Sequence, residues 1–153
     1  MHPSPDYRVV LLSAGDDAPT RTLAAVVDAW AVEEGIQLRT VDASEDHVEG
    51  IVRAMELNPD LIISVGNDLV DALATVSPNH LDRHFLVLGA EIAEPTGNVT
   101  AVDWTGASFR GAGVGASSTY DPATFTVERC GAAVRAGVAA VLTDLTGVVL
   151  WID

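Results

Sequence analysis

The stretch "LIISVGNDLVDALATV", Leu61–Val76, decides the fold because it joins a strand to a helix through a very short turn. Its first five residues do not alternate between apolar and polar, which is typical of a strand buried on both faces. Apolar residues at helical spacing follow from about Asp68. The turn between them contains Gly66, Asn67 and Asp68, so it either caps the helix or contacts a ligand.

The same strand–turn–helix unit recurs on both sides of this stretch. Helices are predicted over 20–35, over 44–59 with Ser44 as N-cap, and over 126–144. The second strand alternates, so we expect it nearer the edge of the sheet. Besides the strand at 61–65, strands are predicted at 7–15, 36–43, 84–90, 98–104 and 148–152.

Repeated β–α units with short connections predict an α/β fold, a Rossmann-like three-layer αβα sandwich. The sheet is expected to be mainly parallel, with five to six strands. A length of 153 residues is enough for one domain with a proper core, so we expect residues 1–153 to form a single domain. The glycine-rich segment 105–122 interrupts the pattern, and its first half could form a weak helix.

The composition excludes several functions. The formal net charge is −14, and an acidic surface repels phosphate backbones, so we expect no nucleic-acid binding. All eight basic residues are Arg; without Lys there is no Schiff-base, P-loop or receiver-site lysine. Cys130, the only cysteine, shares an apolar helix face and is expected to be a buried structural thiol.

Polar residues follow the ends of the predicted strands, and in a parallel sheet all of these ends lie on one edge, where ligands bind. We call this edge the strand-end rim. Its acidic and hydrogen-bonding groups suit a polar, uncharged or cationic small ligand. Its candidate ligand-binding residues are Asp16 and Asp17, Asn67 and Asp68, Glu91, Asp103, and Trp104, which is expected to offer an aromatic face.

A simpler interpretation of the rim remains open, since Asp17, Ser44 and Asp68 could all be helix caps. Other motifs are weaker. The pair His80 and His84 lacks a third metal ligand and is interpreted as solvated, and no catalytic signature or cofactor motif is found. We therefore predict a non-enzymatic protein without cofactor or metal.

The stretch 61–113 resembles the basic membrane protein (BMP) family, the Med/PnrA-like group of nucleoside-binding lipoproteins of ABC transporters. The family motif has counterparts in Val65–Gly66, Asp71–Leu73, His84–Phe85, Asn98–Val99 and Ser108–Phe109. The segments 13–30 and 132–151 are similar to the family's first loop and helix and to its last helix and strand. The likeness covers most of the chain in order.

The resemblance implies one lobe of a type I periplasmic-binding-protein fold, with strand order 2-1-3-4-5. It also implies a purine-nucleoside cleft between two lobes, contacted by Asp16 or Asp17 and by Asn67 or Asp68. This chain departs from the family in three ways. Segment 105–122 replaces a whole second lobe, Asn67 stands where the family has an aromatic residue, and no lysine exists.

The sequence leaves three candidate functions open. The first is a nucleoside-like binding module whose open cleft is completed by self-association or by a partner protein. The second is an interaction or scaffold domain that has lost ligand binding. The third is a Rossmann-like enzyme with a carboxylate-held Mg²⁺ at Asp16 and Asp17.

The first ten residues show no signal-peptide pattern. The resemblance implies a lipid-anchored, extracytoplasmic protein if a signal segment has been removed. Otherwise we expect a cytoplasmic one.

Overall fold

The computed structural model describes residues 1–153 and contains six strands and four α-helices. No helix has both the length and the apolar character that crossing a membrane requires. The predicted alternation of strands and helices is confirmed. In chain order the elements are β1 (Val9–Ser13), α1 (Ala18–Glu34), β2 (Leu38–Asp42), α2 (His47–Glu56), β3 (Leu61–Val65), α3 (Val70–Val76), β4 (Phe85–Leu88), β5 (Val99–Asp103), α4 (Val127–Leu142) and β6 (Val149–Trp151).

All six strands form one parallel sheet in the order β2-β1-β3-β4-β5-β6. The predicted fold class is confirmed, and β2 lies at the edge, as its alternating sequence indicated. From β1 the chain moves outward to β2 and then returns to β3 on the other side of β1. Strand order therefore reverses between β1 and β3, and the loops after these two strands flank the point where such sheets bind ligands.

Two apolar layers cover the two faces of the sheet. On one face, α1 and α4 pack through residues such as Leu23, Val27, Val134 and Val138. On the other face, α2 and α3 pack through residues such as Ile51 and Leu73. The central strand β3 is buried along its whole length because helices cover it from both sides.

Two local predictions are wrong. Helix α2 begins after Asp46, whose carboxylate accepts the Glu49 N–H; Ser44 is not its cap. Instead, Ser44 donates its hydroxyl to Asp42 and accepts the Gly15 N–H, tying the β1 and β2 ends together. The first half of segment 105–122 contains turns, bends and a bridge from Phe109 to Ala90 rather than a helix, since its three glycines disfavour helix formation.

Candidate functional site

A narrow cleft opens on the strand-end rim, beside the point where strand order reverses. We call it the strand-end cleft. Its cavity volume is about 10 Å³, which is no more than one water requires. It is lined by Asp17, Pro19, Thr20, Leu23, Gly66, Asn67, Leu88, Gly89, Tyr120 and Phe125.

Asp17 is the N-cap of α1, as one interpretation of the rim predicted. Its carboxylate accepts the Thr20 N–H at 3.1 Å and the Thr20 hydroxyl at 2.9 Å from Oδ2. These bonds fix the position of the carboxylate at the mouth of the cleft. Neighbouring Asp16 is exposed; its backbone carbonyl accepts a hydrogen bond from Arg21, and its own carboxylate makes none.

The turn after β3 brings Asn67 into the strand-end cleft and Asp68 beside Gly15, in the loop after β1. Gly66 has a φ of 109°, and a Cβ atom there would lie 2.5 Å from the carbonyl oxygen of Ala14. Only glycine therefore lets the β3 turn approach the loop after β1 this closely. Asp68 makes no side-chain cap in the 3-10 turn Asn67–Leu69, so the expectation that it caps the following helix is wrong.

Glu91 and Asp103 form a buried acidic pair at the ends of β4 and β5. Asp103 is fully buried; its Oδ1 accepts the N–H groups of Trp104 and Ser108, both at 2.8 Å, while its Oδ2 has no partner. Burial raises the pKa of Glu91 to about 7, and the adjacent Asp103 adds to the rise. The Arg110 guanidinium acts in the opposite direction and lowers the pKa of Glu91; its Nε lies 3.1 Å from Glu91 Oε1.

The raised pKa of Glu91 is consistent with the unpaired oxygen of Asp103. Protonated Glu91 is a hydrogen-bond donor, and Asp103 Oδ2 is the acceptor that lacks one. Both carboxylates are buried, so neither is presented to solvent as a ligand contact in this structure. Asp103 instead stabilises the turn that leads into segment 105–122, through its bonds to the Trp104 and Ser108 N–H groups.

The expectation that Trp104 offers an aromatic face on the rim is wrong. Trp104 is 0% exposed, and its indole N–H donates to Thr124 Oγ1 at 3.0 Å. The edge of Phe125 packs against it, with ring centroids 5.0 Å apart. Large aromatic surfaces are buried when a partner for the indole N–H is available, and Thr124 supplies that partner here.

Two aromatic residues line the cleft, Tyr120 and Phe125, and the sequence marked neither as a site residue; the exposed one is Tyr120. It lies 40% exposed, with its ring 5.8 Å from that of Phe125. Burial raises its pKa, and the Asp17 carboxylate adds to the rise. No periodic pattern marks residue 120; the only available signal was that Tyr120 is one of two aromatic residues, with Phe109, in an otherwise small and polar segment.

Other candidate groups form no site. No group of three or more His, Cys, Asp or Glu side chains could hold a metal ion. The glycine-rich run Gly111–Gly115 has a sequence, "GAGVG", that superficially resembles a phosphate loop, but the Ala112 N–H donates to the Asp71 carboxylate instead. Cys130 is buried as predicted, and burial raises the pKa of its thiol to about 11, which keeps it unreactive.

Comparison with known proteins gives structural likeness only. No protein-family model matches the sequence, and no curated protein does. A solute-binding protein of an ABC transporter system from Aeropyrum pernix K1 is similar, with a TM-score of 0.53 and 21% identity. That match covers 65% of this chain and 29% of the other, so this chain spans under a third of that protein.

A second solved structure matches almost end to end. It is a fragment described as a lipoprotein from Peptoclostridium difficile 630, with a TM-score of 0.61 and 15% identity. The match covers 91% of this chain and 99% of the fragment. The chain therefore has the single-sheet, parallel α/β fold that it shares with these two proteins.

Proposed function

We propose that the chain is a non-enzymatic module that binds a small, nucleoside-like ligand at the strand-end cleft. The observation that carries the proposal is the convergence of Asp17, Asn67 and Asp68 where strand order reverses. Carboxylates and an amide accept hydrogen bonds from hydroxyl and amino groups, which nucleosides present together. A bare phosphate would meet like charge from Asp16 as well.

The fold shared with a solute-binding protein supports a relation to ABC-transporter binding proteins. The narrower relation to the BMP group rests on the sequence resemblance alone. In this proposal residues 1–153 are one lobe, and segment 105–122 stands in place of the second. A pocket usually buries most of a tightly held ligand, so a single lobe binds weakly unless a second copy or a partner completes it. The similarity to a lipoprotein fragment supports an extracytoplasmic location.

The test is isothermal calorimetry with adenosine on the wild-type protein and three single-charge variants. Asp16→Asn and Asp68→Asn change rim carboxylates, whereas Asp28→Asn removes an equal charge from the exposed face of α1. We expect saturable binding that Asp16→Asn or Asp68→Asn weakens about tenfold, near the 1.4 kcal/mol of one good hydrogen bond to a charged group. Asp28→Asn should bind like wild type.

Absence of binding at about millimolar adenosine would contradict the proposal, since that limit corresponds to roughly −4 kcal/mol. The second candidate function would then be favoured, an interaction domain. It is supported by the edge strand β6, where Val149 and Trp151 are exposed, the latter at 47%. Exposed aromatic residues on an unpaired sheet edge are typical of protein contacts.

A further inference from the structure

Tyr120 lies where the ring of a ligand would have to enter the strand-end cleft. Its side chain lines the cleft together with Gly66, Asn67 and Gly89, and its ring packs on Phe125. Tyr120 belongs to segment 105–122, which comes from the far end of the sheet after β5. The cleft is therefore covered by a residue of the same chain that is distant in sequence from the loops beneath it.

Hydrogen bonds fix the backbone on both sides of Tyr120. Ser118 Oγ accepts the Gly106 N–H at 3.0 Å and lies 2.6 Å from Ser108 Oγ. The Asp121 N–H donates to the Gly106 carbonyl at 2.6 Å. Two short segments are thus joined on either side of Tyr120, so its backbone is fixed where the side chain lines the cleft.

The volume of the cleft shows that Tyr120 excludes an aromatic ligand ring. About 10 Å³ remains, whereas a cavity that takes up benzene measures roughly 150 Å³. No aromatic base fits while Tyr120 stays in place. Glycine at position 89, where a Cβ atom would lie 2.6 Å from the Phe125 ring, allows the floor beneath the aromatic pair to pack closely.

We propose that Tyr120 is a built-in competitor that occupies the ring position of the strand-end cleft, so that the free protein is closed by its own segment 105–122. This inference rests on the proposed function for the identity of the ligand. A ligand ring enters only when Tyr120 swings out, and its apparent affinity falls by the fraction of molecules that are open. Removing the Tyr120 ring should therefore strengthen binding, whereas a contact residue of an ordinary pocket would weaken it.

The experiment compares wild type with Tyr120→Ala, Tyr120→Phe and the control Val114→Ala, which changes an exposed apolar residue of the same segment. Two compounds are titrated: adenosine, and p-cresol, which reproduces the tyrosine side chain. Binding is followed by calorimetry and by amide chemical shifts of Gly66 and Gly89. Circular dichroism and the melting temperature of each variant verify that it is folded.

We expect Tyr120→Ala to bind adenosine about tenfold more tightly than wild type, the gain for a protein that is roughly 10% open. It should also bind p-cresol, with shifts at Gly66 and Gly89. Tyr120→Phe keeps the ring and should exclude p-cresol, as should wild type and Val114→Ala. Adenosine affinity that is unchanged or weaker in Tyr120→Ala would overturn the inference.

The p-cresol titration keeps the inference separate from the proposed function. If no variant binds adenosine, the nucleoside proposal fails, and p-cresol alone decides whether Tyr120 closes the cleft. Binding of p-cresol to Tyr120→Ala only would support closure. Equal p-cresol shifts in wild type and Tyr120→Ala, or none in either, would contradict it.

Discussion

Asp17 and Asp68 come from different loops, yet their carboxylates lie against the same glycine. A Cβ atom on Gly15 would lie 3.3 Å from Asp17 Oδ2 and 3.2 Å from Asp68 Oδ2. Asp17 is fixed by its hydrogen bonds to Thr20, whereas Asp68 makes no hydrogen bond through its side chain. Two like charges therefore lie close together beside the loop after β1.

Asp68→Asn should stabilise the protein, because it removes the repulsion without disturbing the N-cap of α1. We expect a gain of about 0.5 kcal/mol in the free energy of unfolding at low salt, measured by urea denaturation. The gain should disappear near 1 M salt, where screening acts within about 3 Å. Asp28→Asn is the matched control, and an equal gain in that variant would show that net charge alone is responsible.

Two glycines of α4 should respond oppositely to alanine. A Cβ atom on Gly137 would lie 2.6 Å from Leu86 Cδ1 and 3.1 Å from Val102 Cγ2, so Gly137→Ala forces the helix away from the sheet. On Gly131 the nearest atom belongs to the flexible Arg135 side chain, at 3.2 Å. Gly137→Ala should cost about 1–3 kcal/mol, and Gly131→Ala should gain up to about 1 kcal/mol.

Thermal and urea unfolding of both variants check this prediction. The helix propensity of alanine is the same at the two positions, so the difference between the variants isolates the contact with the sheet. Equal changes in stability would show that α4 packs less closely on β4 and β5 than the structure indicates.

Stability should depend on pH through Glu91. Its pKa is about 7 in the folded protein and 4.5 ordinarily, so between these values the folded state holds a proton that the unfolded state has lost. This contribution to stability is complete below about pH 4.5 and is lost as pH rises towards 7 and beyond. Asp103 and Arg110 are the charged groups that face Glu91, and their opposing effects are included in the raised pKa.

Glu91→Gln should remove this dependence, because glutamine stays neutral and its amide can still donate to Asp103 Oδ2. We expect the melting temperature of the variant to vary less than that of wild type between about pH 5 and pH 8, and to exceed it at the upper end. Melting scans at several pH values measure the difference. A variant that follows the wild-type curve throughout would mean that Glu91 ionises normally.

Removing the acceptor of the Trp104 indole N–H should lower the free energy of unfolding. Thr124→Val preserves the shape of the side chain but removes the oxygen that accepts this N–H, and we expect a loss of about 1–3 kcal/mol. Thr124→Ser keeps the hydroxyl and should lose less. Urea denaturation of the two variants tests this. The Thr124 hydroxyl also donates to the Asp121 carbonyl at 2.8 Å, so the loss in Thr124→Val includes that bond, and a loss no larger than in Thr124→Ser would show that the hydroxyl contributes no more than the methyl group.

The fold was largely predictable because its signals are local. The unbroken apolar run at Leu61–Val65 predicts a fully buried strand, and β3 is indeed central. Alternation in the second strand predicts an edge position, which the sheet order confirms. Resemblance to a lobe of periplasmic binding proteins implied the order 2-1-3-4-5, and the structure has it, with β6 added beyond β5.

The candidate site was predictable only in part. The loops after β1 and β3 were expected to converge, and Asp17, Asn67 and Asp68 do line or border one cleft. Glu91 and Asp103 were expected to face a ligand, but they face each other in the interior. A strand-end position in the sequence gives the edge of the sheet, not the direction in which a side chain points from it.

The sequence by itself determined the β–α alternation, the buried thiol of Cys130 and the edge to which the polar residues belong, because each depends on neighbours a few positions away. Only the tertiary structure decided which aromatic residue reaches the cleft. Asp103 binds the N–H groups of Trp104 and Ser108, and the resulting turn directs Trp104 into the core. The chain then returns through Gly106, Ser118 and Asp121 and brings Tyr120 over Phe125. The Gly106–Ser118 and Gly106–Asp121 hydrogen bonds join residues more than ten positions apart in a segment without periodicity, so no local pattern could predict where Tyr120 lies.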